Sequence, residues 1–265
     1  MRFQNGRKVS KHATYCLRLM AKSGFITRAL WCQYFAQGSE RWQRRQLQGL
    51  CKNRLISPHV NSKATDVFVL SSYGKILLAR EGLSFGQPPF VGQIDHDELV
   101  MKSVLELSRE KLIRGFLLEN EMKSSEMRQH RLPTSSRPDE QRYSDALLEL
   151  TVLGKNRIVA FEYERTAKAP QRYREKLWAY SHSNSVWLVI FVCESDTIKS
   201  LIKRQLDFLG IPSLTSKVGF VDKKDWIAGP SDAVVTLDTQ GFSIRSLVTP
   251  KSYENAREVA PQVAL

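Results

Sequence analysis

Three carboxylates near the middle of the chain have the types and spacing that could hold a divalent metal ion. Asp145 lies in the run R-Y-S-D-A-L-L-E-L, and Glu162 and Glu164 close the later run R-I-V-A-F-E-Y-E. Side chains two residues apart in a strand point to the same face, so Glu162 and Glu164 are expected to lie together. Carboxylates gathered at strand ends repel one another unless a cation lies among them, and oxygen ligands suit Mg²⁺ or Mn²⁺.

These residues need a sheet to bring them together. Apolar runs predict strands from Asp145 to Val152 and from Arg157 to Glu164, and the polar turn at 153–156 predicts a β-hairpin. Ala169-Pro170 then leads into a helix. Further predicted elements are a nearly all-apolar strand at 185–193, an amphipathic helix at 196–209, a strand at 218–221 and an edge hairpin at 232–244. Such an order predicts an α/β (α+β) fold with helices packed on a mixed sheet.

The ordered set resembles the core of the PD-(D/E)xK nuclease superfamily. More narrowly it resembles the MobC-type plasmid mobilisation relaxases and replication-relaxation proteins, which place such a core behind an N-terminal winged helix. Asp145 would be the motif aspartate, Glu162 and Glu164 the E-x-(E/K) pair, and Lys176 and Tyr180 the residues of the following helix.

The chain departs from that pattern at two positions. Ser144 stands where the motif usually has Pro, and Glu164 stands where the catalytic Lys usually lies. A lysine from elsewhere, Lys168 or Lys176, would have to replace it. Any one of these acids, considered alone, is better explained as an ordinary surface residue.

The resemblance also implies roles for the surrounding residues. Asp145 and Glu162, helped by Glu98 or Glu119, would hold Mg²⁺ or Mn²⁺. Glu164 would be a third metal ligand or a general base, and Lys168 or Lys176 would neutralise the negative charge that develops on the phosphate in the transition state. His96 matches a His that the replication-relaxation proteins often carry, although a solvated helix cap explains it equally well. Tyr180 would position the DNA strand. Because relaxases form covalent phosphotyrosine links to DNA, Tyr163, Tyr173 and Tyr180 are also candidates for the nucleophile.

Positive charge is concentrated at the N-terminal end. The first 81 residues hold fifteen Lys and Arg and three acidic residues, which leaves a net charge of +12 out of +13 for the whole chain. A segment of this charge attracts polyanions, with nucleic acid first among them. We therefore expect double-stranded DNA to be the partner of this segment.

The same segment has the element order of a winged helix. Helices are predicted at 10–22, 27–36 and 39–53, followed by strands at 55–60 and 66–70 around a wing loop at 61–65. The third helix would turn Trp42, Leu47, Leu50 and Cys51 to the core and enter the major groove. The predicted DNA-binding residues are Arg41, Arg44, Arg45, Gln48 and Lys52 of that helix and Lys63 of the wing. A solvated basic face or a protein-binding winged helix is the alternative.

Composition shifts divide the chain into four parts. We predict a winged-helix domain at 1–83, a linker with paired prolines at 84–93, a nuclease-like domain at 94–249 and a flexible tail at 250–265. A first core strand is expected at 112–118, followed by a long polar excursion at 122–141. Asp139 of Pro138-Asp139 mimics the motif aspartate, but no apolar strand follows it, so we treat it as a decoy.

Several classes of protein are excluded by missing signals. No apolar run approaches the ~18 residues of a membrane span, and residues 1–10 lack the apolar core of a signal peptide. The sequence has no P-loop, no G-x-G-x-x-G and no His-x-His pair. Its four cysteines have no C-x-x-C spacing, which argues against zinc and for buried free thiols in a cytoplasmic protein.

The sequence therefore predicts a metal-dependent DNA-nicking relaxase of a plasmid or mobile element, acting on an origin-like site with other transfer or replication proteins. The first alternative is a non-enzymatic DNA-binding regulator or accessory factor with a degenerate nuclease fold, which Glu164 in place of Lys favours. A structural nuclease-like partner in a larger complex is the second. Plasmid nicking with Mg²⁺ or Mn²⁺ distinguishes the first from the others.

Overall fold

A computed structural model describes residues 9–59, 66–123, 129–133 and 142–248 of the protein. The wing loop with Lys63, the decoy Asp139 and the tail from 250 lie outside these residues. The chain forms two compact units, Met1–Lys102 with Leu118–Arg128 and Ser103–Leu117 with Gln129–Leu265. Compactness alone does not establish independent folding, so the domain boundaries proposed from the sequence stay predictions.

The first unit contains helices around a small antiparallel sheet. Its helices are α1 Lys11–Ser23, α2 Arg28–Leu30, α3 Glu40–Lys52, α4 Ser72–Ala79, the start of α5 Ile94–Arg109, and α6 Glu119–Met122. Its strands are β1 Ile26–Thr27, β2 Ile56–Pro58 and β3 Val67–Leu70, in the order β1-β3-β2. The predicted third helix and the antiparallel strand pair after it are confirmed. The predicted second helix is instead α2 followed by a π-helical turn, Trp31–Phe35.

Trp42 does not face the core, and this expectation was wrong. Its side chain is 52% exposed, whereas Leu47 and Leu50 of the same helix are buried. At 3.6 residues per turn, a residue five positions before Leu47 lies roughly 140° away around the helix. Helical phase therefore places Trp42 on the solvent side together with the arginines, despite its large apolar ring.

The second unit is built on a seven-stranded mixed sheet in the order β10-β9-β8-β7-β6-β5-β4. The strands are β4 Gly115–Leu118, β5 Ala146–Val152, β6 Lys155–Glu164, β7 Leu188–Cys193, β8 Val218–Asp222, β9 Val235–Leu237 and β10 Gln240–Phe242. The helices that follow β6 are α7 Pro170–Ser181, α8 Asp196–Leu209, α9 Pro212–Thr215, α10 Lys223–Ala228 and α11 Ile244–Val248. A mixed α/β architecture is confirmed at this level.

Strand directions follow from the connections. β5 and β6 are antiparallel, as a two-residue turn requires, while β6, β7 and β8 are parallel and are joined through helices. All six residues of β7 are buried, as the apolar run predicted. The first core strand is shorter than expected because it begins at Gly115 instead of residue 112, after a turn in which Lys111 has a φ of 59°; its end at Leu118 is as expected.

The four cysteines are free thiols, with Cys16 and Cys193 buried and Cys32 and Cys51 half-buried. Burial raises the pKa of the Cys193 thiol to about 12, and Glu164 adds to the rise. A thiol of that pKa is not a nucleophile at neutral pH. Within the described residues, no helix has the length and apolar content needed to cross a membrane.

The β5–β6 turn consists of Leu153 and Gly154, two residues shorter than the predicted polar turn. Val152 pairs with Lys155, and φ is 50° at Leu153 and 74° at Gly154. Positive φ at both positions matches the twist of a two-residue hairpin. Glycine adopts this conformation freely, whereas leucine is strained by roughly 1–2 kcal/mol.

Leu153→Asn is therefore expected to stabilise the protein by about 0.5–1 kcal/mol, since asparagine tolerates the left-handed region. Urea unfolding measures the change. Leu153→Ala is the matched control, because alanine also removes the leucine side chain but lacks the polar group through which asparagine tolerates the left-handed region. Equal stability of the two variants would show that the turn is not strained at this residue.

Candidate functional site

The predicted carboxylates meet where β6 ends and β5 begins. Ala146 pairs with Phe161, which brings Asp145 beside the last residues of β6. Its Oδ2 accepts a hydrogen bond from the backbone N–H of Tyr163 at 2.7 Å. The cluster thus lies at the carboxyl ends of the parallel strands, the edge of an α/β sheet where ligands bind.

Glu162 is completely buried and is paired at both carboxylate oxygens. Lys176 Nζ lies 2.5 Å from Oε2, and the Tyr180 hydroxyl donates a hydrogen bond to Oε1. The Ser144 hydroxyl lies 2.8 Å from the Tyr180 oxygen. Because Tyr180 donates its own proton to Glu162, Ser144 is the donor in this hydrogen bond and the Tyr180 oxygen is the acceptor. Ser144, which replaces the motif Pro, therefore helps to orient the phenol that holds Glu162.

Glu164 is 1% exposed and pairs less completely. Lys168 Nζ lies 2.7 Å from Oε2, and the Tyr173 hydroxyl lies 3.5 Å from the same oxygen. Lys176 Nζ is 3.5 Å from Oε1, but within the described residues this oxygen accepts no hydrogen bond. One buried acceptor is therefore open to another donor or to a cation.

Helix α7 supplies Lys176 and two phenols to the cluster from one face, while Lys168 precedes the helix. Tyr173, Lys176 and Tyr180 are three and four residues apart, which aligns them along one side of a helix. Both lysines that the sequence offered as replacements at position 164 contact the carboxylates. Tyr173 was considered only as a nucleophile, and Ser144 only as a departure from the motif; no local signal reveals that they support the cluster.

The cluster has three carboxyl groups and two ammonium groups. Burial raises the pKa of Glu162 to about 8, with Lys176 opposing the rise and Asp145 adding to it. Burial disfavours the Lys176 ammonium, but Glu162, Glu164 and Asp145 outweigh it and raise the pKa of that lysine. Burial and the nearby Asp145 therefore favour the neutral form of Glu162, while the three carboxyl groups together hold Lys176 in its charged form.

The three tyrosines are held in the protonated form. Burial and Glu162 keep the pKa of Tyr180 well above its usual range, and burial and Glu164 raise that of Tyr173 to about 12. Burial also raises the pKa of Tyr163, whose hydroxyl donates to Glu194 at 2.5 Å. Strand alternation directs Tyr163 away from Glu162 and Glu164. Protonated phenols favour the positioning role over the nucleophilic one.

The other proposed ligands belong to the first unit and have local partners. Glu98 Oε1 accepts from the Thr27 hydroxyl at 2.7 Å, and Glu119 pairs with Lys123 at 2.9 Å. His96 Nδ1 lies 2.9 Å from Asp97. Over the described ranges, no group of three or more His, Cys, Asp or Glu side chains is arranged as a metal site. The metal roles of Glu98 and Glu119 and the site role of His96 stay predictions.

Helix α3 presents a basic face. Its predicted DNA-binding residues are all exposed, namely Arg41, Arg44, Arg45, Gln48 and Lys52. Arg44 forms an exposed ion pair with Glu40, one helical turn away. A shallow cavity of about 220 Å³ lies between α3 and β3, lined by Arg28, Arg44, Leu47, Gln48, Cys51 and Phe68.

Comparisons with protein-family models, curated proteins and solved structures found no match to this chain. The resemblance to nucleases and relaxases therefore rests on the short motifs and on the arrangement of the residues above. Its finer implications remain proposals.

Proposed function

We propose that the protein is a metal-dependent DNA-nicking enzyme of the MobC relaxase type, with a PD-(D/E)xK-like second unit behind a winged helix. One observation carries the proposal. The Lys176 ammonium lies between Glu162 and Glu164, 2.5 and 3.5 Å from their oxygens, and Asp145 adjoins the same strand end. These contacts support Lys176 as the lysine that replaces the one missing at position 164, with Lys168, 2.7 Å from Glu164 Oε2, as the alternative.

Topology supports the same assignment. The order hairpin, helix, parallel strand over β5, β6, α7 and β7 is that of the nuclease core which the motifs resemble. In the first unit, the third helix followed by the antiparallel β2 and β3 is the order of a winged helix. Neither resemblance depends on the wing loop.

The cluster has features that fit Mg²⁺ or Mn²⁺. Its donors are hard carboxylate oxygens, one of them Glu164 Oε1 with no hydrogen bond among the described residues, and its carboxyl groups outnumber its ammonium groups. Asp145 and Glu162 would hold the ion, with Glu164 as a third ligand. When bound, the ion would activate water and stabilise charge on the attacked phosphate.

The chain's own residues would carry the remaining tasks. Lys176 is held by two carboxylates, so it presents a fixed positive charge for a scissile phosphate. Tyr180 and Ser144 fix the orientation of the Glu162 carboxyl, and the Tyr163 N–H fixes that of Asp145. Lys168 is 35% exposed and can reach the phosphate backbone while it stays paired with Glu164.

Incubation with supercoiled plasmid that carries a cognate origin, in Mg²⁺ or Mn²⁺, tests the proposal directly. Open-circular product that EDTA abolishes supports it. Intact plasmid under both metals contradicts it.

A second candidate is a DNA-binding regulator in which the carboxylate cluster is buried and does not bind a metal ion. Glu162 and Glu164 are 0% and 1% exposed, and lysines already neutralise most of their charge. This arrangement favours a structural ion-pair network over an open metal site. Sequence-specific binding without cleavage would favour this candidate.

Arg44→Ala with Arg45→Ala is expected to weaken duplex binding by roughly tenfold or more, because a base-reading side chain is worth about 1–3 kcal/mol. The slope of log affinity against log salt should also fall by about one for each phosphate that is no longer neutralised. Fluorescence anisotropy across a salt series on the full-length protein measures both.

The control for this experiment is Lys11→Ala with Arg80→Ala, which removes the same charge from exposed positions outside α3. The control pair should weaken binding much less. Equal effects would mean that charge alone governs binding, and α3 would not be the recognition helix.

A further inference from the structure

A second concave site lies at the opposite end of the sheet from the carboxylates. It is a groove of about 670 Å³ in the second unit. The residues that matter for its chemistry are Lys155, Arg157, Ser183, Asn184, Trp187 and Lys217. They sit where β6 begins and where the chain enters β7 and β8, whereas Glu162 and Glu164 end β6. Five residues of strand separate Arg157 from Glu162, or roughly 17 Å.

Lys217 is the unusual member of this site. It is 7% exposed, and its Nζ donates to the carbonyl oxygens of Tyr180 and Ser183, each at 2.8 Å. An ammonium has three donors, so one N–H remains. Within the described part of the chain, no carboxylate pairs with Lys217, and burial lowers its pKa to about 8. A buried cation without a counter-ion is costly, which points to an anionic partner.

The rest of the groove is suited to an anion. Lys155 is exposed and Arg157 half-exposed, and none of the described residues that line the groove is acidic. The Ser183 and Ser185 hydroxyls lie 3.3 Å apart at its wall, beside the exposed Asn184. The Arg157 guanidinium lies 5.7 Å from the centre of the Trp187 ring. Cations, hydroxyls and a guanidinium fork together match the several oxygens of a phosphate.

We propose that this groove binds a phosphate group carried by a nucleotide. Lys217 and Arg157 bind the phosphate oxygens, and Trp187 offers a face on which a base can stack. The size of the groove favours a nucleotide over a bare phosphate ion, because the ion would fill only a small part of about 670 Å³. The proposal is independent of DNA nicking, since it uses neither the carboxylates nor helix α3.

Calorimetric titration of the full-length protein with inorganic phosphate, thymidine 5′-monophosphate and a short oligothymidylate tests the groove. The nucleotide forms should bind more tightly than inorganic phosphate. Lys217→Met should weaken their binding by roughly tenfold or more, since it removes a charge-assisted hydrogen bond. Arg157→Gln should weaken their binding in the same way, and because Arg157 is half-exposed, this substitution does not disturb a buried position. Lys224→Met removes an exposed lysine outside the groove and should leave affinity unchanged.

The three ligands distinguish the source of the phosphate. If the monophosphate binds and its binding depends on Lys217 and Arg157, the ligand of the groove is a mononucleotide. If only the oligonucleotide binds and its binding depends on the same two residues, the ligand is a single strand. Oligonucleotide binding that survives both substitutions belongs to the basic first unit, and it overturns the proposal when no monophosphate binding depends on Lys217 and Arg157. So does the absence of binding by any ligand. If Lys217→Met does not fold, Arg157→Gln decides.

Discussion

Glu162→Gln is expected to reduce nicking of supercoiled DNA by roughly 10³-fold or more, because charge stabilisation by a bound metal is worth several kcal/mol. Glutamine keeps the shape of the side chain but removes its negative charge. Asp145→Asn should have the same effect. Duplex affinity should change by less than about twofold in either variant, since affinity is assigned to the basic first unit.

Controls for this experiment come from acids of the same unit outside the cluster. Glu149→Gln alters a neighbouring position of β5, and Asp207→Asn alters an exposed residue of α8. Both should nick DNA at the wild-type rate. Circular dichroism checks folding, and anisotropy checks binding. Wild-type rates for Glu162→Gln and Asp145→Asn would refute the proposed site.

A second measurement of the same variants needs no cleavage. Mg²⁺ or Mn²⁺ should raise the melting temperature of the wild type, because a ligand that binds only the native state stabilises it. The rise should be smaller in Glu162→Gln and Asp145→Asn. A wild type that cleaves nothing and shows no metal-dependent stabilisation would favour the regulator.

Lys176→Met is expected to destabilise the protein by about 3–5 kcal/mol near pH 8, the cost of leaving a buried charge without its partner. Glu162 would lose its ammonium, and Glu164 would keep only Lys168. Lys168→Met should cost less, because Lys168 is more exposed than Lys176. Denaturant unfolding compares the two lysines directly.

The pH dependence follows from the raised pKa of Glu162. Folding moves this pKa from an ordinary value near 4.5 to about 8, chiefly through burial. Its contribution to stability is therefore complete below about pH 4.5 and is lost as the pH rises through about 8. The slope is at most about 1.4 kcal/mol per pH unit. Glu162→Gln should lose this slope.

The two substitutions combined test whether the residues act as a pair. Lys176→Met removes a cation, so its cost should grow as the pH rises through about 8, where Glu162 ionises in the wild type. In the double variant with Glu162→Gln, much of that cost should be recovered, because no unpaired charge remains at position 162. Additive costs at pH 8 would show that Glu162 and Lys176 are not coupled in the folded protein.

The hairpin could be predicted because its signals are local. Alternation near Glu162 and Gly154 in the turn are features of a short stretch, and a two-residue turn fixes the register that brings Asp145 to Tyr163. The lysine near Glu164 was predicted only as a choice between two residues. Both lysines contact the cluster: Lys168 pairs with Glu164, and the helical phase that buries Tyr173 and Tyr180 also turns Lys176 inwards.

Other features depend on long-range packing that a linear pattern does not contain. Ser144 bonds to Tyr180 across 36 positions, and nothing in its neighbours indicates that. Lys217 is a lysine between a serine and a valine, yet the start of β8 buries it. The prediction for Trp42 was wrong in the opposite direction: its residue type favoured the core, but the helical phase places it in solvent.

The lengths of the strands have a consequence for self-association. The long strands β5 and β6 lie inside the sheet, whereas the outermost described strands, β4 and β10, contain only four and three residues. Gln240 and Gly241 of β10 are also exposed and carry no apolar side chain. A short edge offers few unpaired backbone groups to another molecule. The sheet therefore gives little template for edge-to-edge growth into fibrils, even though its central strand β7 is apolar throughout.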